Sequence, residues 1–425
     1  MSEQIKVFGR NENGILGYRI LATAAAAQEQ AKAIHVALVM DKSGSMQGER
    51  IESVKKTLTV LIDKLELGDK ITLVGFSGMA AVIINAALIG DAEARAALKA
   101  SVNTLDADGG TNMEAGVVAL GELFNGGSPP DSVVLLTDGY VNEGITSVAG
   151  IYSLLNSYLP SVPVYALGYG AEHNADFMRA LSSRTNGTYT FLDSEIALPA
   201  SIGDLLGGLK GEVAKAASMT FPKHWKCLEL NGGDGVIGLG SLVADKPTWV
   251  VFELPTAPAP APATATSPLL NYCMGETTHT IVLSSVPTDS VTSVELQEQY
   301  LRCIVARALD TASSLLKTYK INDAKALINN TIDKIATSSV AGGAMAIRMK
   351  AQLEEMKEEL CSGSSSNHHH VLLQAGSTAT RYTQQRGVSG GRHVDDMFST
   401  PTLMRHQTQM VEQYSTPADP TNDMT

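Results

Sequence analysis

The chain has 425 residues, room for two or three compact units and their connections. Hydrophobic residues make up 44% and charged residues 18%, ordinary globular usage that excludes wholesale disorder. With Lys+Arg at 32 and Asp+Glu at 44 the net charge is −12, which repels phosphate backbones and anionic membranes, so neither nucleic acid nor a membrane is expected as a partner.

The start, Met1-Ser2-Glu3-Gln4, shows no basic stretch followed by an apolar leader, and no window holds about 18 uninterrupted apolar residues. Cys227, Cys273, Cys303 and Cys361 lie far apart without a C-x-x-C pair, which argues against a thiolate zinc site or a disulfide framework. A cytoplasmic location is the expectation.

Two β-rich runs, 4–8 and 15–22, lie within residues 1–33. Too short to make a domain, they are expected to join a sheet formed later in the chain. From 34 to 211 short apolar runs alternate with helical patterns. Ile34-His35-Val36-Ala37-Leu38-Val39-Met40 reads as a strand covered on both faces, and Ile51, Val54, Leu58, Leu61, Ile62 and Leu65 mark one face of the helix after it. Further strands are expected at 70–76, 81–88, 132–136, 162–167 and 188–192, with helices at 91–101 and 112–124. Such alternation predicts an α/β unit: a doubly wound, mostly parallel sheet with helices on both faces.

Between 212 and 288 the runs turn β-rich and alternate, with Gly or Pro between them, predicting a small antiparallel β-sandwich that holds Trp225 and Trp249. Strands from 1–33 would complete it, so that the α/β unit is inserted within it. A Pro/Ala/Thr tract at 255–268 cannot ladder and is expected as a loop. Residues 289–360 return to a helical period, with Leu296, Leu301, Ile304, Val305, Leu309 and Leu316 in one stripe. These helices are expected to close over the sandwich or each other, with oligomerisation through them as the alternative. Beyond 361 the composition is Ser, Thr, Gln, Gly and His, which predicts a disordered tail over 361–425. There His368-His369-His370 is read as an adventitious metal binder. The repeated aromatic-Ser-Thr-Pro of Phe398–Pro401 and Tyr414–Pro417 is read as chance, or as a phosphorylation or docking motif.

The chemistry-bearing residues follow the first buried strand. Asp41-Lys42-Ser43-Gly44-Ser45 is a D-x-S-x-S turn at its carboxyl end, where the ligand crevice of a doubly wound sheet opens. Asp108-Gly109-Gly110-Thr111-Asn112 precedes a helix, and Leu136-Thr137-Asp138-Gly139 ends the next buried strand. Asp41, Ser43, Ser45, Thr111 and Asp138 thus offer two carboxylates and three hydroxyls. This all-oxygen set suits Mg²⁺, with Mn²⁺ as a substitute, rather than zinc or copper. With at most two formal negative charges against a dication, the ion would still accept a partner's carboxylate.

These motifs, in this order, resemble the von Willebrand factor type A domain with its metal-ion-dependent adhesion site, over residues 34–209. The resemblance implies that Ser43 and Ser45 bind metal directly, Thr111 directly or through water, and Asp41 and Asp138 mainly through water. An Asp or Glu of a protein partner would take the remaining position. Lys42 stands where the family usually has a small or aliphatic residue. The layout around the domain resembles intracellular members with a Vint-type region and plant-type ubiquitin ligases, but no RING-type Cys/His pairs are present, so ligase activity is not implied. Nor is there a G-x-x-x-x-G-K-[ST] of the kind carried by the ATPase modules of metal chelatases.

Three functions are compatible with this sequence. The leading one is a non-enzymatic protein-interaction scaffold that binds an acidic side chain through Mg²⁺. A metal-assisted hydrolase would need a base and phosphate-binding cations, for which only Lys42 and Arg184 offer themselves. A metal-free structural or assembly protein would use its helices and tail instead. His35 and His173 are expected to be structural.

Overall fold

Each end of the chain contributes to a different folded unit: residues 1–31 fold with 211–386, and residues 32–210 with 387–425. The structure is a computed structural model, and it describes residues 4–23, 33–170, 173–192, 197–230, 235–255, 267–283, 291–362, 365–384 and 401–415.

In the first unit β1 (Ile5–Glu12) and β2 (Ile15–Ala22) form an antiparallel hairpin. Asn13 and Gly14 turn it, with φ of 52° and 79°, the backbone that a two-residue loop requires and that Asn-Gly tolerates best.

The chain then enters the second unit. Here β3 (His35–Asp41), β4 (Lys70–Phe76), β5 (Ala80–Leu88), β6 (Ser132–Thr137), β7 (Val164–Tyr169) and β8 (Tyr189–Leu192) make one sheet in the order β5-β4-β3-β6-β7-β8. Only the edge strand β5 runs antiparallel to its neighbour. Helices α1 (Glu49–Lys64), α2 (Ala92–Asn103), α3 (Met113–Leu123), α4 (Val148–Tyr158), α5 (Ala175–Arg184) and α6 (Ala197–Lys210) supply the crossovers and flanks. Alternate residues of β3 serve opposite faces. Val36, Leu38 and Met40 share a core with Ile51, Leu58 and Leu61 of α1 and with Leu198 and Ile202 of α6. Val39 and Phe76 face α3, which approaches so closely that a Cβ on Gly116 would lie 3.0 Å from Val39 Cγ1 and 3.1 Å from Phe76. Both faces being covered explains why β3 and β6 read as unbroken apolar runs.

Back in the first unit, β9 (Glu212–Thr220), β10 (Lys226–Cys227), β11 (Val236–Val243), β12 (Thr248–Glu253), β13 (Leu269–Met274) and β14 (Thr277–Val282) complete the sandwich. Among the described residues it has two four-stranded antiparallel sheets, β1-β2-β12-β10 and β11-β9-β13-β14, sharing a core that includes Leu16, Ile20, Met219, Phe252 and Leu270. The α/β unit is therefore inserted in sequence between β2 and β9. Most of the Pro/Ala/Thr loop expected at 255–268 lies outside the described residues.

Helix α7 (Ser293–Lys317) starts at a capping box in which Thr292 and Glu295 satisfy each other's backbone N–H. With α8 (Ile321–Ala336) and α9 (Ala344–Cys361) it forms the helical region. Leu296, Leu301, Val305, Leu309 and Leu316 of α7 are buried within the chain itself. Arg302, fully buried, meets Glu229 through both carboxylate oxygens at 2.5 and 3.0 Å and the Tyr382 carbonyl at 2.6 Å.

Composition predicted disorder beyond 361, yet two helices occur there. In α10 (Ser365–Gln384) Val371, Leu373 and Tyr382 are buried together with the smaller Ala375, Ser377, Thr378 and Ala379, a face that a count of large apolar side chains misses. The His run falls within α10, where His370 Nδ1 meets Glu359 at 2.8 Å. Helix α11 (Pro401–Ser415) belongs to the α/β unit: Met410 joins its core, and Tyr414 hydroxyl lies 3.1 Å from Ser53 Oγ with Lys56 Nζ 4.3 Å from its ring centre. Residues 385–400 and 416–425, with Phe398-Ser399-Thr400 and Thr416-Pro417, lie outside those described.

Candidate metal centre

In the sheet order, β3 is followed by β4 on one side and by β6 on the other, so the chain reverses its direction of growth between β3 and β6. Their diverging connections leave a crevice at the carboxyl tips, and Asp41 and Asp138 stand at those two tips. Register pairs Met40 with Leu136, which sets Asp41 beside Thr137. Thr137 Oγ1 donates to Asp41 Oδ2 at 2.5 Å, and the Ser43 amide donates to Oδ1 at 2.8 Å. A single 3₁₀ turn, Gly44–Met46, anchored by the fully buried Met46, then carries Ser45 back over the site. Ser43 Oγ lies 3.1 Å from Ser45 Oγ, and Ser45 Oγ donates to Asp138 Oδ1 at 2.6 Å.

The loop carrying Thr111 is tied to the first one by the Gly44 amide, which donates to the Gly109 carbonyl at 3.0 Å. A Cβ on Gly139 would stand 3.7 Å from Ser45 Oγ and 3.9 Å from Thr111 Oγ1, so the Thr111 hydroxyl shares this space. All five residues named from the sequence are brought together.

Asp41 and Asp138 are 0% and 1% exposed. Burial raises the pKa of Asp41, against the hydrogen bonds from Thr137 and Ser43, and the charge of Asp138 raises it further. No basic side chain pairs with Asp41 among the described residues, whereas Asp138 forms an ion pair through Oδ2 with Arg50 Nη1. Lys42 is engaged outside the cluster, its Nζ 2.5 Å from Asp108 Oδ1. The Lys42 hydrogen bond, aided by Ser77, holds the exposed Asp108 carboxyl below its usual range. Two buried carboxylates with one cationic partner, plus three hydroxyls and no nitrogen or sulfur donor, fit a hard divalent cation.

Four residues of the site escaped the sequence reading. Thr137 buttresses Asp41, Arg50 neutralises Asp138, and Asn142 Oδ1 accepts from the Thr111 amide at 2.9 Å. The carboxylate of Glu143 fills the place a side chain at Gly110 would take, 2.2 Å from an ideal Cβ, which explains the need for glycine there. The polar run Asn142-Glu143-Gly144 after the Asp138 tip was the available signal for the last two.

Arg184, His173 and His35 lie away from the five oxygen-bearing residues. Arg184 stacks over Tyr152 and lines a cleft with Val133 and Val164, at the amino ends of β6 and β7, the opposite edge of the sheet from the carboxylates. Buried His173 meets Tyr189 hydroxyl and the Gly170 carbonyl, both at 2.7 Å, and His35 Nε2 meets Thr72 Oγ1 at 2.9 Å. No cluster of three or more His, Cys, Asp or Glu that could hold a metal occurs among the described residues.

The family described as von Willebrand factor type A domain matches residues 34–191. The uncharacterized protein sll0103 of a Synechocystis strain is 29% identical over 185 residues, 41% of this chain and 41% of that protein. The uncharacterized protein YfbK of Escherichia coli is 28% identical over 174 residues, covering 39% and 29%. Human inter-alpha-trypsin inhibitor heavy chain H1 is 29% identical over 166 residues, 36% of this chain and 18% of that one. The matched region thus spans less than half the length of each of these relatives. Among solved structures, a von Willebrand factor type A protein from Catenulispora acidiphila superposes with a TM-score of 0.62 at 15% identity, covering 88% of this chain and 96% of that one. The ArnB paralog VWA2 from Sulfolobus acidocaldarius gives 0.54 at 15% identity, covering 89% and 99%. The fold likeness therefore extends beyond the α/β unit over most of the chain. Strand order, the crevice at the switch point and the family match agree that residues 34–191 are a von Willebrand factor type A domain.

Proposed function

We propose that this domain binds a divalent cation, Mg²⁺ foremost and Mn²⁺ as a substitute, through Asp41, Ser43, Ser45, Thr111 and Asp138, and through it an Asp or Glu side chain of a protein partner. The observation that carries this reading is the convergence of two buried carboxylates and three hydroxyls at the crevice, with Arg50 the one basic partner to either carboxylate among the described residues. A bound cation would supply a concentrated positive charge to which a partner's carboxylate could be drawn. The chain's own residues do the rest. Thr137 and the Ser43 amide fix Asp41, and because Ser45 Oγ donates to Asp138 and accepts from Ser43 Oγ, it keeps one lone pair to face a cation.

Around the crevice Met79 is 81% and Tyr140 57% exposed, on the loops after β4 and β6. Large apolar side chains in the open beside a polar centre suit a protein partner better than a small anion. A hydrolase finds less support, because Lys42 is paired with Asp108 and Arg184 lies at the far edge of the sheet. We therefore read the chain as a non-enzymatic scaffold. The four unpaired cysteines favour a reducing, cytoplasmic setting, and no described helix is long and apolar enough to cross a membrane.

Calorimetric titration of Mg²⁺ into wild type and Asp138→Ala tests the metal step, with heat expected in wild type alone. The docking step is tested on a captured partner, whose binding should vanish with chelator, with Asp41→Ala, and with Glu→Gln or Asp→Asn at the partner's contacting acid. A partner held equally well under all three conditions would refute the reading.

A further inference from the structure

Both oxygens of Asp138 are engaged: Oδ1 accepts from Ser45 Oγ at 2.6 Å and Oδ2 is held by Arg50 Nη1. Arg50 lies in the first turn of α1, five residues beyond Ser45, so the turn that carries the hydroxyls also carries the guanidinium. Its Nη1 reaches the Ser45 carbonyl at 3.4 Å, and Nη2 would lie 3.4 Å from a Cβ on Gly170, just past the tip of β7. The guanidinium is thus lodged between the β3–α1 turn and the tips of β6 and β7. The Arg50 side chain is 33% exposed against 0% for Asp138, so solvent is open to the cation and closed to the anion.

We propose that Arg50 is a resident counter-ion of the metal centre, holding Asp138 in the cation-free protein and competing with an incoming divalent cation for that carboxylate. This rests on the metal reading above. A buried carboxylate without a partner is costly, so the pair stabilises the empty crevice. The same positive charge, one carboxylate away from where a dication would sit, opposes its entry. Binding then requires Asp138 to be shared or the guanidinium to turn outward. Arg50 thereby trades metal affinity for stability of the empty state.

The test uses the full chain as wild type, Arg50→Gln, Arg50→Lys and Asp138→Ala. Mg²⁺ affinity is measured by calorimetry, Mn²⁺ affinity by electron paramagnetic resonance, and unfolding in chelator by scanning calorimetry. Arg50→Gln is expected to bind either cation about tenfold more tightly, equivalent to about 1.4 kcal/mol, and to melt below wild type in chelator. Arg50→Lys, which keeps the charge, should stay close to wild type in affinity. Unchanged or weaker binding by a folded Arg50→Gln overturns the proposal while leaving the metal reading intact. Absence of binding in wild type and Arg50→Gln alike overturns both. If Arg50→Gln is unfolded in chelator, recovery of its circular dichroism on adding Mn²⁺ supports the proposal, and failure to recover overturns it.

Discussion

Replacing Asp41 by Asn should stabilise the cation-free domain and at the same time abolish its response to metal. The carboxylate is fully buried, accepts two hydrogen bonds and faces a second buried acid, and its raised pKa means that burial and Asp138 outweigh those bonds. A carboxyl whose folded pKa lies above its unfolded value favours folding at low pH and loses that contribution as pH rises through the folded pKa. Toward neutral pH wild type therefore loses stability that a neutral amide at this position would keep. Asn keeps the shape, with an oxygen for the Ser43 amide and an NH₂ for Thr137 Oγ1. The advantage of Asp41→Asn should be absent well below pH 4 and grow toward neutrality. With metal at about 100 times its Kd, wild type gains about 2.7 kcal/mol. At about 2–4 °C per kcal/mol for a unit of 150–250 residues, its transition should rise by roughly 5–11 °C, and that of Asp41→Asn by nothing. Both tryptophans lie in the other unit, so scanning calorimetry rather than tryptophan fluorescence is the assay. A retained metal shift in Asp41→Asn, or a loss of more than about 2 kcal/mol in chelator from orphaned donors, would refute the reasoning.

In the other unit, Arg302→Leu should cost about 3–5 kcal/mol by leaving buried Glu229 unpaired, read as a lower denaturant midpoint by tryptophan fluorescence; adding Glu229→Leu should recover much of it. Tyr414→Ala removes the hydroxyl contact to Ser53 and the Lys56–ring contact, about 1 kcal/mol each, besides a buried ring. Proteases should then cut α11 faster, and unchanged protection would show that it does not dock as described. Burial and then Lys70 lower the His35 pKa against an opposing pull from Asp131, so the unfolded chain takes up its proton first and stability falls as pH drops through about 6.5. His35→Gln should flatten that part of the stability–pH curve.

The architecture was readable in the amino-acid order because local periodicity carries it. A strand covered on both faces must be apolar throughout, as β3 is, and a helix lying on it must show one apolar stripe, as α1 does. The hairpin 4–22, too small to stand alone, could be assigned to the later sandwich for the same reason: its buried residues need a second sheet. The oxygen cluster was legible because its residues sit in short motifs at strand tips. The helices beyond 361 were not, since α10 packs through Ala, Val and single large residues that leave the composition polar.

Periodicity and motif, then, specify which segments are strands and which side chains end up at their tips. They say nothing about which charge faces which. Arg50 meets Asp138 across 88 positions, and Glu143 fills the space at Gly110, because strand order and loop packing place them there. Such pairings depend on distances of a few ångströms between distant parts of the chain, and only the packed fold sets those distances.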